Sequence, residues 1–138
     1  MSIQSQSLAF TELRRAKYMS LTTFRKNGDP VATPVWFAED AGILYLFTFP
    51  SAGKLKRIRH TARVTVAPCT LNGKVTGPTI EAQARILIDE PAKAHADQTL
   101  ARKYGLTWRL YNAVTGAMRA LRRKPKSERV YVAIEPAR

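Results

Sequence analysis

The chain has 138 residues, 45% of them hydrophobic, and this length and composition predict one folded domain over residues 1–138 and exclude intrinsic disorder. Its 23 lysines and arginines against 10 acidic residues give a formal net charge of +13, so the expected partners are anions such as nucleic acid, acidic lipid or a phosphorylated small molecule. One cysteine and two histidines exclude an internal disulfide and give no basis for a metal site.

The N-terminal half predicts a meander of three antiparallel strands. Segments rich in threonine, aliphatic and aromatic residues are expected to form these strands at residues 18–25, 31–38 and Ile43–Thr48. Asn27-Gly28 predicts the first turn, because these two residues accept the positive φ angles that tight hairpins need. Residues 39–42 are expected to form the second turn.

Short helices are expected on either side of this meander. Thr11 is a candidate N-cap for the first, with Leu13 and Ala16 facing inward. Ser51 is a candidate N-cap for the second, over Gly53–His60, where two apolar residues three positions apart share one face.

The C-terminal half adds three strands and two helices. Strands are expected at residues 63–67, 79–88 and 130–134, and helices at residues 91–104 and 108–122. In the second of these strands the apolar residues alternate with polar ones and are expected to face inward: Ile80, Ala82, Ala84, Ile86 and Ile88. Six twisted antiparallel strands with connecting helices predict a β-rich α+β fold that closes into a small barrel, since closure removes exposed strand edges.

Membrane insertion and secretion are not expected. The longest apolar run, residues 42–49, is too short to cross a bilayer. Residues 1–10 lack the charged-then-apolar order of a signal peptide. A cytoplasmic protein is therefore expected.

The strongest candidate for a binding site is the start of the helix at residue 53. Lys54, Lys56 and Arg57 lie in its first turns, where free backbone N–H groups and the positive end of the helix dipole already favour an anion. Three cations at this end are electrostatically unfavourable unless an anion is bound to them. A solvated basic face is the alternative.

A second candidate is the predicted strand around Pro34. Proline cannot donate a ladder hydrogen bond, so it marks an edge or a bulge where the backbone can face a ligand, and Trp36 offers a flat ring beside it. The alternative is that Trp36 packs in the core. Trp108, Arg109 and Tyr111 share a helix and are expected to make mostly core or dimer contacts; a lid over the substrate is the alternative. No arrangement for hydrolytic catalysis is present in the sequence, so no catalytic residue is assigned; chemistry supplied by a cofactor needs none.

An ordered series of short segments resembles the pyridoxamine 5′-phosphate oxidase-like superfamily of split β-barrels. The resemblance is greatest to the branch that uses the deazaflavin coenzyme F420, and it covers most of the chain from about residue 13. The segments are residues 17–25, 27–28, 33–37, 51–54, 56–57, 63–64, 67–69, 81–85 and 102–105 and the last strand.

The resemblance implies a six-stranded split barrel and a cofactor site. The residues implied to hold the cofactor phosphate are Ser51, Gly53 and Lys54, with Lys56 and Arg57 nearby. The residues implied to face the cofactor ring, largely through their backbone, are Thr33, Pro34, Val35 and Trp36, with Thr48 at the end of the third strand. The resemblance also implies a homodimer with the cofactor site between the two subunits.

The resulting functional prediction is an F420-dependent oxidoreductase that transfers a hydride between the deazaflavin and an organic small molecule. The phosphate and glutamate tail of F420 suit a chain of charge +13. An oxidoreductase of the same fold that binds flavin mononucleotide (FMN) is the alternative. A non-enzymatic basic module that binds nucleic acid or carries a cofactor is a further alternative, based on the basic residues 119–129; nucleic acid is not favoured, because cations at a helix C-terminus are normally solvated.

Overall fold

The computed structural model describes Phe10, Leu13, residues 15–122 and residues 129–137. Within these residues the strands are β1 (Tyr18–Phe24), β2 (Pro30–Trp36), β3 (Ala38–Asp40), β4 (Ile43–Thr48), β5 (Arg63–Cys69), β6 (Ile80–Ile86) and β7 (Val130–Pro136). The helices are α1 (Gly53–His60), α2 (Glu90–Tyr104) and α3 (Leu106–Leu121). None of these helices is long and apolar enough to cross a membrane.

All seven strands belong to one antiparallel sheet in the order β2-β1-β5-β6-β7-β4-β3. Its two outer strands, β2 and β3, are consecutive in the chain and are joined by Phe37 alone. A sheet whose opposite edges are one residue apart has to curl, and this sheet forms a half-barrel. The predicted split barrel is therefore confirmed, with seven strands rather than six.

The additional strand arises where the predicted strand at residues 31–38 breaks. β2 ends at Trp36, and Ala38 begins β3, which pairs with β4 instead of β1. Phe37 is fully buried between them, and its N–H donates to the Tyr104 hydroxyl at 2.9 Å rather than to a neighbouring strand. This bond satisfies the backbone at the break.

One face of the sheet and one side of α1 enclose the main core. The alternation predicted for β6 brings Ile80, Ala82 and Ala84 into this core. The prediction for Ile88 is wrong: β6 ends at Ile86, and the Ile88 side chain is 83% exposed. Two apolar residues of α1, Leu55 and Ile58, close the same core, as their spacing predicts.

Helices α2 and α3 cover part of the other face of the sheet. Asp89 caps α2 by accepting from the Ala92 N–H at 3.2 Å, and Gly105, with φ of 52°, separates the two helices. Leu100, Tyr104 and Trp108 pack there against outward-facing residues of the sheet. Trp108 is the buried residue of α3, and most of its aliphatic side chains remain exposed.

The two predicted caps have different outcomes. Thr11 lies outside the described residues, although Leu13 is buried and Ala16 is partly buried against the core, as expected. The cap assigned to Ser51 is wrong, because the N-cap of α1 is Ala52 and no side chain makes a capping hydrogen bond. The start of α1 is therefore uncapped.

Candidate functional site

A pocket of about 310 Å³ lies between the end of β1 and one side of α1. We call it the cationic pocket. Its lining residues are Phe24, Arg25, Lys26, Gly53, Lys56, Arg57 and His60. Four of these side chains carry a formal positive charge, and none of the described residues that line the pocket is acidic.

Arg57 is held across this pocket by a side chain of the sheet. Its Nε donates to the Thr23 hydroxyl at 2.6 Å, and Thr23 is buried in β1. The guanidinium also lies over Gly53, where a Cβ would come within 2.8 Å of one of its terminal nitrogens. Glycine at position 53 therefore leaves room for Arg57 to reach across the first turn of α1.

The N-terminus of α1 adds backbone donors to these cations. The first turn of a helix leaves up to four N–H groups without helical partners. At α1 neither a capping side chain nor an acidic residue of the first turn meets them. The helix dipole and the arginine thus act in the same direction, and both favour an anion at the helix start.

Lys54 lies on a neighbouring side of the same turn and does not line the cationic pocket. Burial and, to a lesser extent, the nearby charge of Arg57 lower the pKa of Lys54 below its usual value. Ser51 is exposed just before the helix. The structure therefore brings Gly53, Lys56 and Arg57 together in the pocket and places Ser51 and Lys54 beside it.

Sequence reasoning missed the contribution of β1 and its turn. Arg25 and Lys26 reach the pocket because the predicted hairpin at Asn27-Gly28 begins beside α1. The predicted hairpin was a signal from which the position of Arg25 and Lys26 beside α1 could have been inferred. The contact between Thr23 and Arg57 has no such signal, since the two residues are 34 positions apart in the chain.

The second predicted segment, residues 33–36, forms the end of an edge strand. β2 pairs with β1 on one side, and no strand of the described residues pairs with its other side. Val35 is buried in the main core, whereas Pro34 is exposed and Thr33 is half-buried. The free backbone edge of β2, with Thr33 and Pro34, is thus the part of this segment that a ligand can reach.

Trp36 packs in a group of aromatic rings. We call it the aromatic cluster: Trp36, Phe47, Tyr104, Trp108 and Tyr111. The Trp36 ring is stacked on Tyr104 with centroids 4.9 Å apart. The guanidinium of Arg129 lies over the Phe47 ring, 4.7 Å from its centroid. The Trp36 side chain packs in this cluster and stays half-buried, and its contact with a ligand remains a prediction.

The edge of β2 runs between these two features. Its residue Pro30 pairs with Phe24, which lines the cationic pocket, and its last residue, Trp36, lies in the aromatic cluster. At roughly 3.3 Å per residue the strand spans about 20 Å. Thr48, also predicted at the site, is buried at the end of β4 and pairs with Val130.

A second pocket, of about 490 Å³, lies between α2 and β3. Cations and carboxylates both line it, including Arg102, Glu39 and Asp40. Because the opposite charges offset each other, this pocket does not favour an anion as the cationic pocket does. No group of three or more potential ligand residues that could hold a metal ion occurs among the described residues.

Comparison with known proteins gives one family and several similar structures. The family model described as pyridoxamine 5′-phosphate oxidase matches residues 7–137. No curated protein matches the sequence. HutZ, the heme storage protein from Vibrio cholerae, is 11% identical, with a TM-score of 0.65 over 100% of this chain and 92% of that one.

Two further proteins of similar structure are named for different cofactors. An FAD-binding protein from Mesorhizobium loti is 20% identical, with a TM-score of 0.63 over 96% of this chain and 88% of that one. An F420 reductase is 18% identical, with a TM-score of 0.54 over 92% of each chain. At these identities the likeness shows the fold.

Proposed function

The chain belongs to the pyridoxamine 5′-phosphate oxidase family, and we propose that it is an oxidoreductase that binds coenzyme F420 and transfers a hydride between this cofactor and an organic small molecule. The observation that supports this proposal most strongly is the cationic pocket, where an uncapped helix start and an arginine held by Thr23 face the same space. An oxidoreductase that binds FMN in the same place is the alternative.

The residues at the pocket fit a phosphorylated cofactor. Arg57 and Lys56 would bind the phosphate together with the backbone N–H groups of the first turn of α1. Ser51 has a hydroxyl available just before the helix. Lys54 would gain a counterion, which would restore its lowered pKa toward the usual value.

The edge of β2 would place the ring system. Its backbone is free on one side, and Thr33 and Pro34 lie along it. Val35 and Trp36 stiffen the strand by packing on its two faces. Bound there, a reduced deazaflavin would supply a hydride to an organic acceptor. The chain then provides binding and orientation.

Charge favours F420 over FMN. F420 carries a glutamate tail in addition to its phosphate, and the pocket offers Arg25, Lys26 and Lys56 besides Arg57. The relatives of the same fold include an F420 reductase as well as an FAD-binding protein. We also propose that the protein is a homodimer, in which a second copy completes the site next to the free edge of β2.

Titration with oxidised F420 and, separately, with FMN tests this proposal, with binding followed by calorimetry. Arg57→Gln removes the charge that Thr23 orients, and Arg59→Gln is the matched control, since Arg59 is exposed on the same helix and does not line the pocket. A hydrogen-bonded charge is worth about 1.5–3 kcal/mol, so Arg57→Gln is expected to weaken binding about 10-fold to 100-fold. Arg59→Gln should stay close to the wild type.

Each outcome has a defined consequence. Binding of F420 that depends on Arg57 supports the deazaflavin proposal. Binding of FMN alone, with the same dependence, would move the protein to the alternative cofactor. If neither F420 nor FMN binds at low salt, the result contradicts an oxidoreductase at this site. Duplex DNA is then the next ligand to titrate.

A further inference from the structure

The exposed face of α3 carries an apolar surface that no described part of the chain covers. We call it the α3 apolar face; it consists of Leu106, Leu110, Val114, Met118 and Leu121. These side chains are 79%, 62%, 48%, 44% and 84% exposed, respectively. Their spacing of three or four residues puts them on one side of the helix. Contiguous exposed apolar surface of this kind marks an interaction site.

The rest of α3 shows that this face is not needed for folding. Trp108 points toward the sheet, Tyr111 joins it in the aromatic cluster from the border of the aliphatic face, and Asn112 accepts a hydrogen bond from Arg129. The helix therefore turns its mixed polar and aromatic side to the sheet and its aliphatic side to solvent. This is the reverse of an ordinary surface helix, whose aliphatic side is buried.

The charged residues of α3 and its C-cap are all positive. At about 100° per residue, Arg109 and Arg122 fall on opposite flanks of the face, and both are exposed. The sequence contains no acidic residue between Asp97 and Glu128. An aliphatic face bordered by arginines matches a surface that is apolar inside and negatively charged outside.

We propose that α3 docks on an anionic lipid surface, with its axis parallel to the membrane. The aliphatic side chains enter the boundary between headgroups and acyl chains, and Arg109 and Arg122 contact the lipid phosphates. At 16 residues the helix is about 24 Å long, and its other side is packed on the sheet. It therefore lies on the bilayer and does not cross it.

A second copy of the chain fits this face less well. In an antiparallel two-fold contact centred on Val114, Arg109 and Arg122 of each copy lie at the edges of the interface. No carboxylate on α3 is available to pair with either. A contact between two copies therefore brings four positive charges together without a counterion, which is unfavourable. Nucleic acid also fits poorly, since phosphate contacts leave five aliphatic side chains in water.

The proposal does not depend on the cofactor. The residues that line the cationic pocket come from β1, its turn and α1, and none comes from α3. Lipid docking and cofactor binding are therefore measured separately, and either can fail without the other.

The test is flotation of the protein with vesicles of phosphatidylcholine alone or with 30% phosphatidylglycerol. We expect binding to the anionic vesicles and little to the neutral ones. Leu110→Ser with Val114→Ser should weaken binding about tenfold or more. Its matched control is Leu71→Ser with Ile88→Ser, which removes two aliphatic side chains elsewhere that are at least as exposed. Both double variants should keep the wild-type unfolding temperature.

A charge pair completes the design. Arg109→Gln with Arg122→Gln should weaken binding about fivefold for each charge removed. The control, Arg59→Gln with Lys74→Gln, removes the same charge from exposed positions outside α3. Equal binding to both kinds of vesicle would overturn the proposal, and so would equal loss in the α3 variants and their controls. The proposal is also contradicted if the wild type does not bind vesicles and the Leu110→Ser, Val114→Ser variant is a monomer where the wild type is a dimer. In that case a second copy of the chain covers the face.

Discussion

Tyr104 holds the break between β2 and β3 with a single hydroxyl. Its oxygen accepts from the Phe37 N–H at 2.9 Å and lies 2.9 Å from the Phe37 carbonyl and 2.8 Å from the Lys17 carbonyl, to one of which it donates. Burial raises the pKa of Tyr104 well above its usual value, so the hydroxyl keeps its proton. Phe37, at which the sheet curls, is thus held in place by a side chain of α2.

Tyr104→Phe is expected to lower the free energy of unfolding by about 1–3 kcal/mol, because it leaves the buried Phe37 N–H without a partner. Tyr111→Phe is the matched control from the same aromatic cluster. Urea unfolding measures both. A loss in Tyr104→Phe no larger than that in Tyr111→Phe would contradict this role of the hydroxyl.

Lys103 gives stability a dependence on pH. Its ammonium donates to the Ala16 carbonyl at 2.7 Å, and burial lowers the pKa of Lys103 to about 8. Between about pH 8 and the unfolded value of 10.5, the unfolded chain binds more protons at this residue than the folded chain does. The contribution of Lys103 to stability therefore rises with pH across this window.

Lys103→Met removes this dependence. Relative to the variant, the wild type is expected to gain stability steadily as the pH rises from 8 toward 10, and urea unfolding at several pH values measures the gain. Parallel stability curves for the two proteins over this range would show that Lys103 titrates normally in the folded chain.

Among the elements, α1 has the most direct link between sequence and site. Its uncapped start leaves the helix less stable than it could be and leaves its N–H groups open to an anion. Stability and binding therefore compete at position 52. This competition can be measured.

Ala52→Asp supplies the missing cap with a negative charge. We expect it to raise the free energy of unfolding by about 1 kcal/mol without cofactor, since an aspartate accepts from the first turn. It should at the same time weaken cofactor binding, because its carboxylate occupies the place of the phosphate. Ala94→Asp, which adds the same charge on the exposed side of α2, should leave cofactor binding near the wild-type value. Unchanged cofactor affinity in Ala52→Asp would place the phosphate elsewhere.

The elements that the sequence predicted correctly are those determined locally. The bounds of α1 and β4 follow from turn residues and apolar spacing within a few positions, and both match the structure. The break at Phe37 could not be predicted, because its partner Tyr104 is 67 residues away. Likewise, the arginine that completes the pocket is positioned by Thr23, a contact that no local pattern encodes.

At the scale of the whole molecule, we expect another chain or a ligand to cover the free edge of β2. An exposed edge strand offers unpaired backbone groups to other chains, and the proposed cofactor site lies along this edge. A second subunit beside it would protect the strand and complete the site. The charge of +13 does not oppose this if the cofactor's anionic groups lie between the subunits.

Light scattering is expected to give twice the 15.4 kDa mass of one chain. Ala32→Arg, on the exposed side of β2, should shift the protein toward the monomer. Gln98→Arg, an equal change on the exposed side of α2, should not. A wild-type mass of one chain at micromolar concentrations would contradict the homodimer.

The two tryptophans of the chain, Trp36 and Trp108, have ring centroids only 6.3 Å apart. Indoles at this separation exchange excitation energy, so their absorption and emission belong to the pair. Far-ultraviolet circular dichroism should therefore contain an exciton couplet from the strong transitions of these two indoles, which lie where α2 and α3 pack on the sheet. Tryptophan emission, excited at wavelengths that the tyrosines do not absorb, therefore reports on the contact between these helices and the sheet. We expect it to weaken or shift if α2 and α3 separate from the sheet.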